Sequence, residues 1–507
     1  MKKRLPLLLT ALCFLLCAAP LAGCTPTEED VYGPTEKPGY PCANDEYTYL
    51  IHPESGEVTI TSYLGTAEEV VVPAELDGYP VTAIQYFTIR PAAKALVKSV
   101  VLPDGLTEIG RIAFCGSALE EIEIPDSVER IGPDAFGGTP WLDAQTDEFI
   151  IVGDGVLIGC SLPEAESGAE SDAPPTEMRI PDGVKHICLS FSEEPKGTYA
   201  VFIPSGVRSI GDYAFSECTA LREIRLPKDL RSLGRAAFQS CTALTALTLP
   251  ASLNEIGSYA FKSCPALKRI DLPDSVYALG SGAFMECEQL TSARLPAKLT
   301  YIPDCLFFLC TRLQIVTMPE AVERIEAQAF QQCEALEEIA VPEACRDIGM
   351  SAFAGTPFLR RLHERDGAFA VLNRVLVGYD GDASEIVVPD GVERVMTMFS
   401  NYNAYEAALI TSIVFPDSVT EIGELTLHGC HSLTTLTFGD GLRIVPEIKV
   451  SIRNMQAITL GRGCAYISPN AFFFSEDNAC TFVVPEGSYA ARWAAEKAYL
   501  HHIATYE

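Results

Sequence analysis

Few of the groups that chemistry or nucleic-acid binding requires are present in this chain of 507 residues. Basic charge is scarce: 37 lysines and arginines stand against 68 aspartates and glutamates, for a formal charge of −31. A surface so anionic argues against binding nucleic acid, whose phosphates must be neutralised, and against lying flat on anionic lipid. Gly-x-Ser-x-Gly, His-Glu-x-x-His and Gly-x-x-x-x-Gly-Lys do not occur, so the hydrolase elbow, the zinc-protease helix and the phosphate loop are missing. Among the 18 cysteines no Cys-x-x-Cys pair offers a zinc clamp.

What the chain does have is a period. Cys218, Cys241, Cys264, Cys287, Cys310 and Cys333 lie 23 residues apart, and a proline opens each unit at 181, 204, 227, 250, 273, 296, 319 and 342. Such a fixed period predicts a stacked solenoid in which each unit buries its apolar face against its neighbours. A hydrophobic fraction of 48% suffices for one long core. Leu221-x-x-Ile224-x-Leu226 alternates as a strand, with Ile224 and Leu226 inward and Glu223 and Arg225 outward. Pro227 ends the ladder because it has no N–H to give. Val207 and Ile210 begin the return side and Gly211 permits a turn. Ala214-Phe215 with Cys218 is expected as a short helical or 3-10 turn that lays the ring into the core. Pro103, Pro125, Pro389, Pro416, Gly439, Gly461 and Pro485 extend the count to sixteen landmarks from Pro73. At the ~4.8 Å spacing of neighbouring strands the solenoid would be roughly 75 Å long.

The pattern resembles the BspA-type leucine-rich repeat of bacterial surface proteins, whose units read Leu-x-x-Ile-x-Leu-Pro, Val-x-x-Ile-Gly and Ala-Phe-x-x-Cys. The match covers most of residues 70–485. It implies a repeat solenoid of mainly short parallel β-strands in 23-residue units, with hairpin inserts and terminal caps, in a family some of whose members are adhesins. The chain departs from the commoner leucine-rich consensus, since Cys218 precedes Leu221 where that consensus puts its Cys or Asn after the strand.

The N-terminus carries an address. Lys2, Lys3 and Arg4 precede an apolar run over residues 5–19 that is too short to span a membrane comfortably, so residues 1–23 are read as a signal peptide. Leu21-Ala22-Gly23-Cys24 resembles the bacterial lipobox, which implies cleavage before Cys24 and a diacylglycerol on its sulfur. Two acyl chains anchor stably where one binds reversibly. Losing the three cations takes the formal charge from −31 to −34.

Residues 24–45, polar and with Pro26, Pro34, Pro38 and Pro41, are expected as a flexible tether. Residues 46–72 are expected as a strand-rich cap, 73–487 as the solenoid, and 488–507 as a closing helix with Ser488 at its N-cap and Tyr489, Trp493 and Ala494 on one face. Inserts at about 138–178 and 355–388 are related to each other. Gly138-Thr139-Pro140-Trp141-Leu142 and Gly355-Thr356-Pro357-Phe358-Leu359 each lead into a hairpin, around Gly153-Asp154-Gly155 or Asn373-Arg374. The hairpins are expected to cover core where the period breaks. Residues 161–178 hold five acids and no base and are expected as a disordered loop.

Candidate sites are sparse. Disulfides between neighbouring rungs are geometrically allowed, but each cysteine would have two equal partners, and a buried thiol is a small hydrophobe that fits beside Phe215. Without Cys13, Cys17 and the lipidated Cys24, fifteen cysteines remain, an odd number that disfavours full pairing. His428-Gly-Cys430-His431 and Asp380-Gly-Asp382-Ala-Ser384 read as a turn around a core cysteine and an acidic turn, not as metal sites. No catalytic residue, cofactor or metal is assigned. The outward strand positions form two columns along the concave face, without a tryptophan or tyrosine stripe. Residues 201–300 there carry eleven Lys or Arg against nine acids. Glu223, Arg225, Arg269, Asp271 and Arg294 are therefore the candidate ligand-binding residues, and Cys24 the lipid-attachment residue. The expected function is a monomeric, lipid-anchored surface protein that binds an extracellular protein or glycan without catalysis, or alternatively an envelope spacer with no specific ligand.

Overall fold

In the computed structural model the chain winds into a β-solenoid of about 17 turns built mostly from parallel strands. The structure describes residues 40–88, 91–160, 176–189, 191, 198–396, 409–423, 427, 430, 432–448, 450–451, 455–473, 480–496 and 502–506. Each regular unit lays down three segments that stack on their copies in the neighbouring units; the strand ladder is interrupted at 246–248 and 338–340. The first is the expected strand, seen as Thr198–Phe202 pairing with Glu223–Arg225 in register Val201↔Ile224 and Phe202↔Arg225. The second is the short return strand: Ser209–Ile210, Ser232–Leu233, Glu255–Ile256 and Ala278–Leu279 stack in parallel, 23 residues apart.

The third segment, around Ala214-Phe215, is a stack of turns rather than a continuous helix. Alternate N–H groups reach the next rung, with Tyr213 donating to Arg235 O (2.8 Å), Phe215 to Ala237 O (2.8 Å) and Glu217 to Gln239 O (2.7 Å). The groups between them close 3-10-type bonds inside the rung, Ser216 N to Tyr213 O (3.1 Å) and Cys218 N to Phe215 O (3.3 Å). In the three units from Tyr213 to Ser263 two non-glycine residues each adopt the left-handed region to allow this alternation. They are Tyr213, Ala236 and Tyr259 at one position and Glu217, Ser240 and Ser263 at the other. Such residues carry roughly 1–3 kcal/mol of strain each, which the inter-rung bonds offset.

Gly211 and its copies answer to crowding rather than to turn conformation. A Cβ on Gly257 would lie 2.6 Å from Arg235 N, because neighbouring rungs approach closely there. At the same point Gly257 N donates to Leu233 O and Gly280 N to Ile256 O, both at 2.8 Å. The next rung has Pro303, with no N–H, and there the seven-stranded sheet ends; Tyr301–Ile302 begins a new one.

The inserts divide the core. Thr139 and Thr356 are buried; each hydroxyl donates to a phenylalanine carbonyl (Phe136 O, 2.7 Å; Phe353 O, 2.6 Å) and accepts from the third residue on (Leu142 N, 3.2 Å; Leu359 N, 3.1 Å). They cap helices Pro140–Asp143 and Pro357–Asp366, each with proline in its first turn. The hairpins follow as expected: Phe149–Val152 with Val156–Cys160, and Phe369–Leu372 with Val375–Tyr379. Asn373 and Arg374 take positive φ as the tight turn demands. Because side chains alternate across a strand, Val156 faces the N-terminal core and Leu157 the central one; Leu376 and Val377 likewise face the C-terminal and central cores. Each hairpin is thus a partition buried on both sides.

Three expectations need correction. Strand Tyr40–Ala43 pairs antiparallel with Tyr47–His52, inside the stretch expected as tether. Residues 176–178, expected within the loop, belong to strand Thr176–Arg179 beside Thr198–Phe202, since they complete a rung; residues 161–175 lie outside the described residues. Helix Tyr489–Glu496 is capped by Ser488 Oγ, which accepts from Ala491 N (3.0 Å), and buries Trp493. The chain does not stay helical: His502–Tyr506 pairs in parallel with Thr481–Pro485, because its β-branched and aromatic residues suit the open sheet edge.

Candidate functional site

The five candidate side chains stand on the strand ladder but on two separate sheets. Glu223 and Arg225 belong to the sheet of Thr176–Arg179, Thr198–Phe202 and Glu223–Arg225. Arg269, Asp271 and Arg294 belong to the sheet of Arg269–Asp271, Ser292–Arg294 and Ile315–Thr317. Residues two apart on a strand share a face, and the charges there pair with each other. Arg225 Nε donates to Glu223 Oε1 (3.0 Å), and Arg269 Nε and Nη2 donate to the two oxygens of Asp271 (2.8 and 3.2 Å). Arg294 lies in register with Asp271 but turns to Asp274, both of whose oxygens it meets at 2.8 Å, and to Leu272 O (2.8 Å). The backbone N–H of Ala297 and then Arg294 hold the Asp274 carboxyl below its ordinary range. All these pairs are exposed, so they add little stability and leave the face nearly neutral.

Two residues missing from the candidate set extend the face. The Arg179 guanidinium sits 4.3 Å above the Phe202 ring centre, and that of Arg225 lies 5.6 Å from the same ring. Register explains it, since Arg179, Phe202 and Arg225 are one column. Following the outward column two rungs toward the N-terminus would have found them.

The cysteine column has a precise chemical partner. Cys241, Cys264, Cys287, Cys310 and Cys333 are buried, and each thiol points to the carbonyl of the phenylalanine one rung back: Phe215, Phe238, Phe261, Phe284 and Phe307, at 3.0–3.2 Å. The rings those carbonyls belong to stack in a column, from Phe191–Phe215 at 5.0 Å to Phe330–Phe353 at 5.5 Å. Burial pushes the Cys264 thiol up to about 12, so it stays protonated and is a poor nucleophile. No disulfide joins any two of the fifteen described cysteines.

Among the described residues no group of three His, Cys, Asp or Glu side chains converges on a metal position. Cys24, His428 and His431 lie outside the described residues, while Cys430 is buried. No described helix is long and apolar enough to cross a membrane.

Comparison with known proteins gives the family context. A model of the BspA type leucine-rich repeat region matches residues 93–162, 190–307, 254–364 and 397–489. Among solved structures, a leucine-rich repeat protein from Bacteroides ovatus is 20% identical, with 92% of this chain and 100% of that chain covered and a TM-score of 0.39. A leucine rich cell surface protein from Faecalibacterium prausnitzii is 19% identical, covering 93% and 96%, with a TM-score of 0.31. The leucine-rich repeat protein of T. pallidum is 25% identical, covering 59% and 91%, with a TM-score of 0.27. No curated protein matches the chain.

Proposed function

Because this chain belongs to the BspA-type leucine-rich repeat family, we propose that it is a lipid-anchored bacterial surface protein whose array binds an extracellular protein or glycan, and that it carries out no reaction itself. Leu21-Ala22-Gly23-Cys24 supports the anchor. The observation that carries the binding role is the strand face, where Arg179, Phe202 and Arg225 and the pairs Arg225–Glu223 and Arg269–Asp271 are held on a backbone fixed by neighbouring rungs. A surface ordered before contact loses little entropy on binding. We place the protein outside the cytoplasm, as a monomer.

A second reading follows from the same pairs. Charges that neutralise one another along each strand also suit an inert spacer, which must stay soluble and attract nothing. The two readings separate in one experiment. Cells displaying the full chain are screened for attachment to matrix proteins, mucins and cell-wall glycans, beside cells lacking it. Attachment that depends on the chain supports the binding array; uniform silence leaves the spacer.

A further inference from the structure

The return strands present a second outward face. Lys185, Arg208, Arg231, Asn254 and Tyr277 hold one position on successive rungs, joined through the backbone: Arg208 N to Lys185 O (2.7 Å), Arg231 N to Arg208 O (2.7 Å), Asn254 N to Arg231 O (2.7 Å) and Tyr277 N to Asn254 O (3.0 Å). Elsewhere on such strands opposite charges meet across rungs, as Arg130 with Glu108 (3.1 Å) and Arg394 with Glu421 (2.8 Å). Here three cations follow one another at the ~4.8 Å strand spacing, a juxtaposition that like charges disfavour. Lys185 is paired with Asp154. Arg208 and Arg231 are exposed and have no ion pair among the described residues, in a chain whose net charge is −31. Two rungs beyond Arg231, Tyr277 stands 64% exposed, its hydroxyl donating to Glu255 Oε1 (2.7 Å), which fixes the ring.

We propose that this column is a track for an extended anionic polysaccharide. Its carboxylate or sulfate groups seat on Arg208 and Arg231, a sugar ring lies against Tyr277, and the Asn254 amide meets hydroxyls between them. Arg208 to Tyr277 spans three rungs, about 14 Å along the solenoid axis, a length suited to a short run of sugars. An anionic group gains from two adjacent guanidiniums what they lose by facing each other. Tyrosine offers an apolar ring face and a polar rim, the combination that pyranose rings need. An acidic peptide fits less well, because the ladder already uses the strand backbone groups to which a peptide strand would add. The proposal rests on the surface-exposed binding array above and names its ligand class.

The test uses the full chain in mild detergent, titrated with oligosaccharides of polygalacturonate, with dextran sulfate, with plain dextran and with poly-glutamate. Saturable, salt-sensitive binding of polygalacturonate, dextran sulfate or both is expected, and which of them binds identifies the acid group. Arg208→Glu with Arg231→Glu should weaken it at least tenfold and Tyr277→Ala several-fold. Arg312→Glu with Arg492→Glu, exposed cations off this column, should leave it unchanged. The double variant should melt close to the parent, since it exchanges one exposed like-charge pair for another. Absence of anionic-glycan binding, equal binding of dextran or poly-glutamate, or indifference to the double variant would overturn the track. Cells with the double variant that still attach to their surface refute the track and leave the binding array standing. Loss of attachment specificity for every displayed form strikes the array itself.

Discussion

The central rungs and the C-terminal rungs fill the same cross-section from different positions. In the centre the aromatic volume comes from the turn, where Phe215, Phe238, Phe261, Phe284, Phe307, Phe330 and Phe353 stack ring on ring. In the C-terminal rungs the stacked pair is Phe415 and Phe438, 5.6 Å apart, at the strand-end position that Leu226 holds in the centre. The turn position is Leu427 in the first of these rungs and Phe472 in the last, both buried. The corner changes with it: Gly439 and Gly461 replace proline, and a Cβ on Gly461 would lie 2.2 Å from Gly439 O. Asp417 and Asp440 stitch this tight corner, accepting from Asp440 N and Arg462 N at 2.7 Å. The rung is the conserved quantity along the molecule; how its interior is filled is free to vary as long as the volume is right.

Alkali should separate the regions most strongly. Burial holds Cys218 and Cys264 up to about 12, and pushes Cys241, Cys287, Cys310 and Cys333 up as well. A thiol of the unfolded chain titrates near ~8.5. A folded value raised above the unfolded one gives stability that is complete below about pH 8.5 and is lost as pH rises toward the folded value. Above about pH 9.5 each thiol therefore removes roughly 1.4 kcal/mol per pH unit. The C-terminal rungs hold fewer, Cys430 at about 12 and Cys464 and Cys480 at about 11. Hydrogen exchange across pH 7 to 11 should show the centre opening first. A centre that outlasts the C-terminal rungs would mean that the thiols are not buried as a set.

Deleting aromatic volume comes next. Phe261→Ala should cost about 3–5 kcal/mol by urea denaturation. In the C-terminal rungs the order of positions should reverse, with Phe438→Ala costing more than Leu427→Ala, because the ring has moved from turn to strand end. Trp493, packed on Phe472 and Phe482, reports that region by fluorescence. An equal or larger loss for Leu427→Ala would collapse the distinction.

The corner gives a smaller effect. Gly461→Ala must push two rungs apart and should cost about 1–3 kcal/mol, as overpacking does. Pro250→Ala at the matching central corner should stay within about 0.5 kcal/mol. A tolerated Gly461→Ala would show that the corner is slack.

The period, the strand and return segments and both hairpins were legible because each has a local signature: alternation, a fixed glycine, or a Thr-Pro cap such as Thr139-Pro140. What escaped had none. Tyr213 and Glu217 take left-handed backbone without glycine to announce it. The sheet break did leave a mark, proline where glycine recurs, but Pro303 reads as drift until the Gly280 N–H is seen at work. In the candidate strands the register of the columns follows from the period and their partners do not: that Arg294 would leave Asp271 for Asp274 depends on side-chain reach, not on pattern. The Arg208–Arg231 row lies on the return strands, outside the columns that were read.

The smallest contrast concerns the sulfur itself. Cys264 and Cys480 are both fully buried, so truncating either leaves a similar small cavity. Only Cys264 donates to a described carbonyl, Phe238 O at 3.1 Å. Cys264→Ala should then cost about 1–2 kcal/mol, the cavity together with the loss of one of the two donors on Phe238 O, which keeps Cys241 N. Cys480→Ala should cost about 1 kcal/mol less, being cavity alone. Urea midpoints at constant m-value, followed by hydrogen exchange of the neighbouring rungs, resolve a difference of that size. Equal losses would reduce the thiol to filler. A larger loss at Cys264, with faster exchange confined to the rung of Phe238, would make the cysteine column a ladder of S–H donors that gives a second bond to carbonyls such as Phe238 O, which already accepts from Cys241 N.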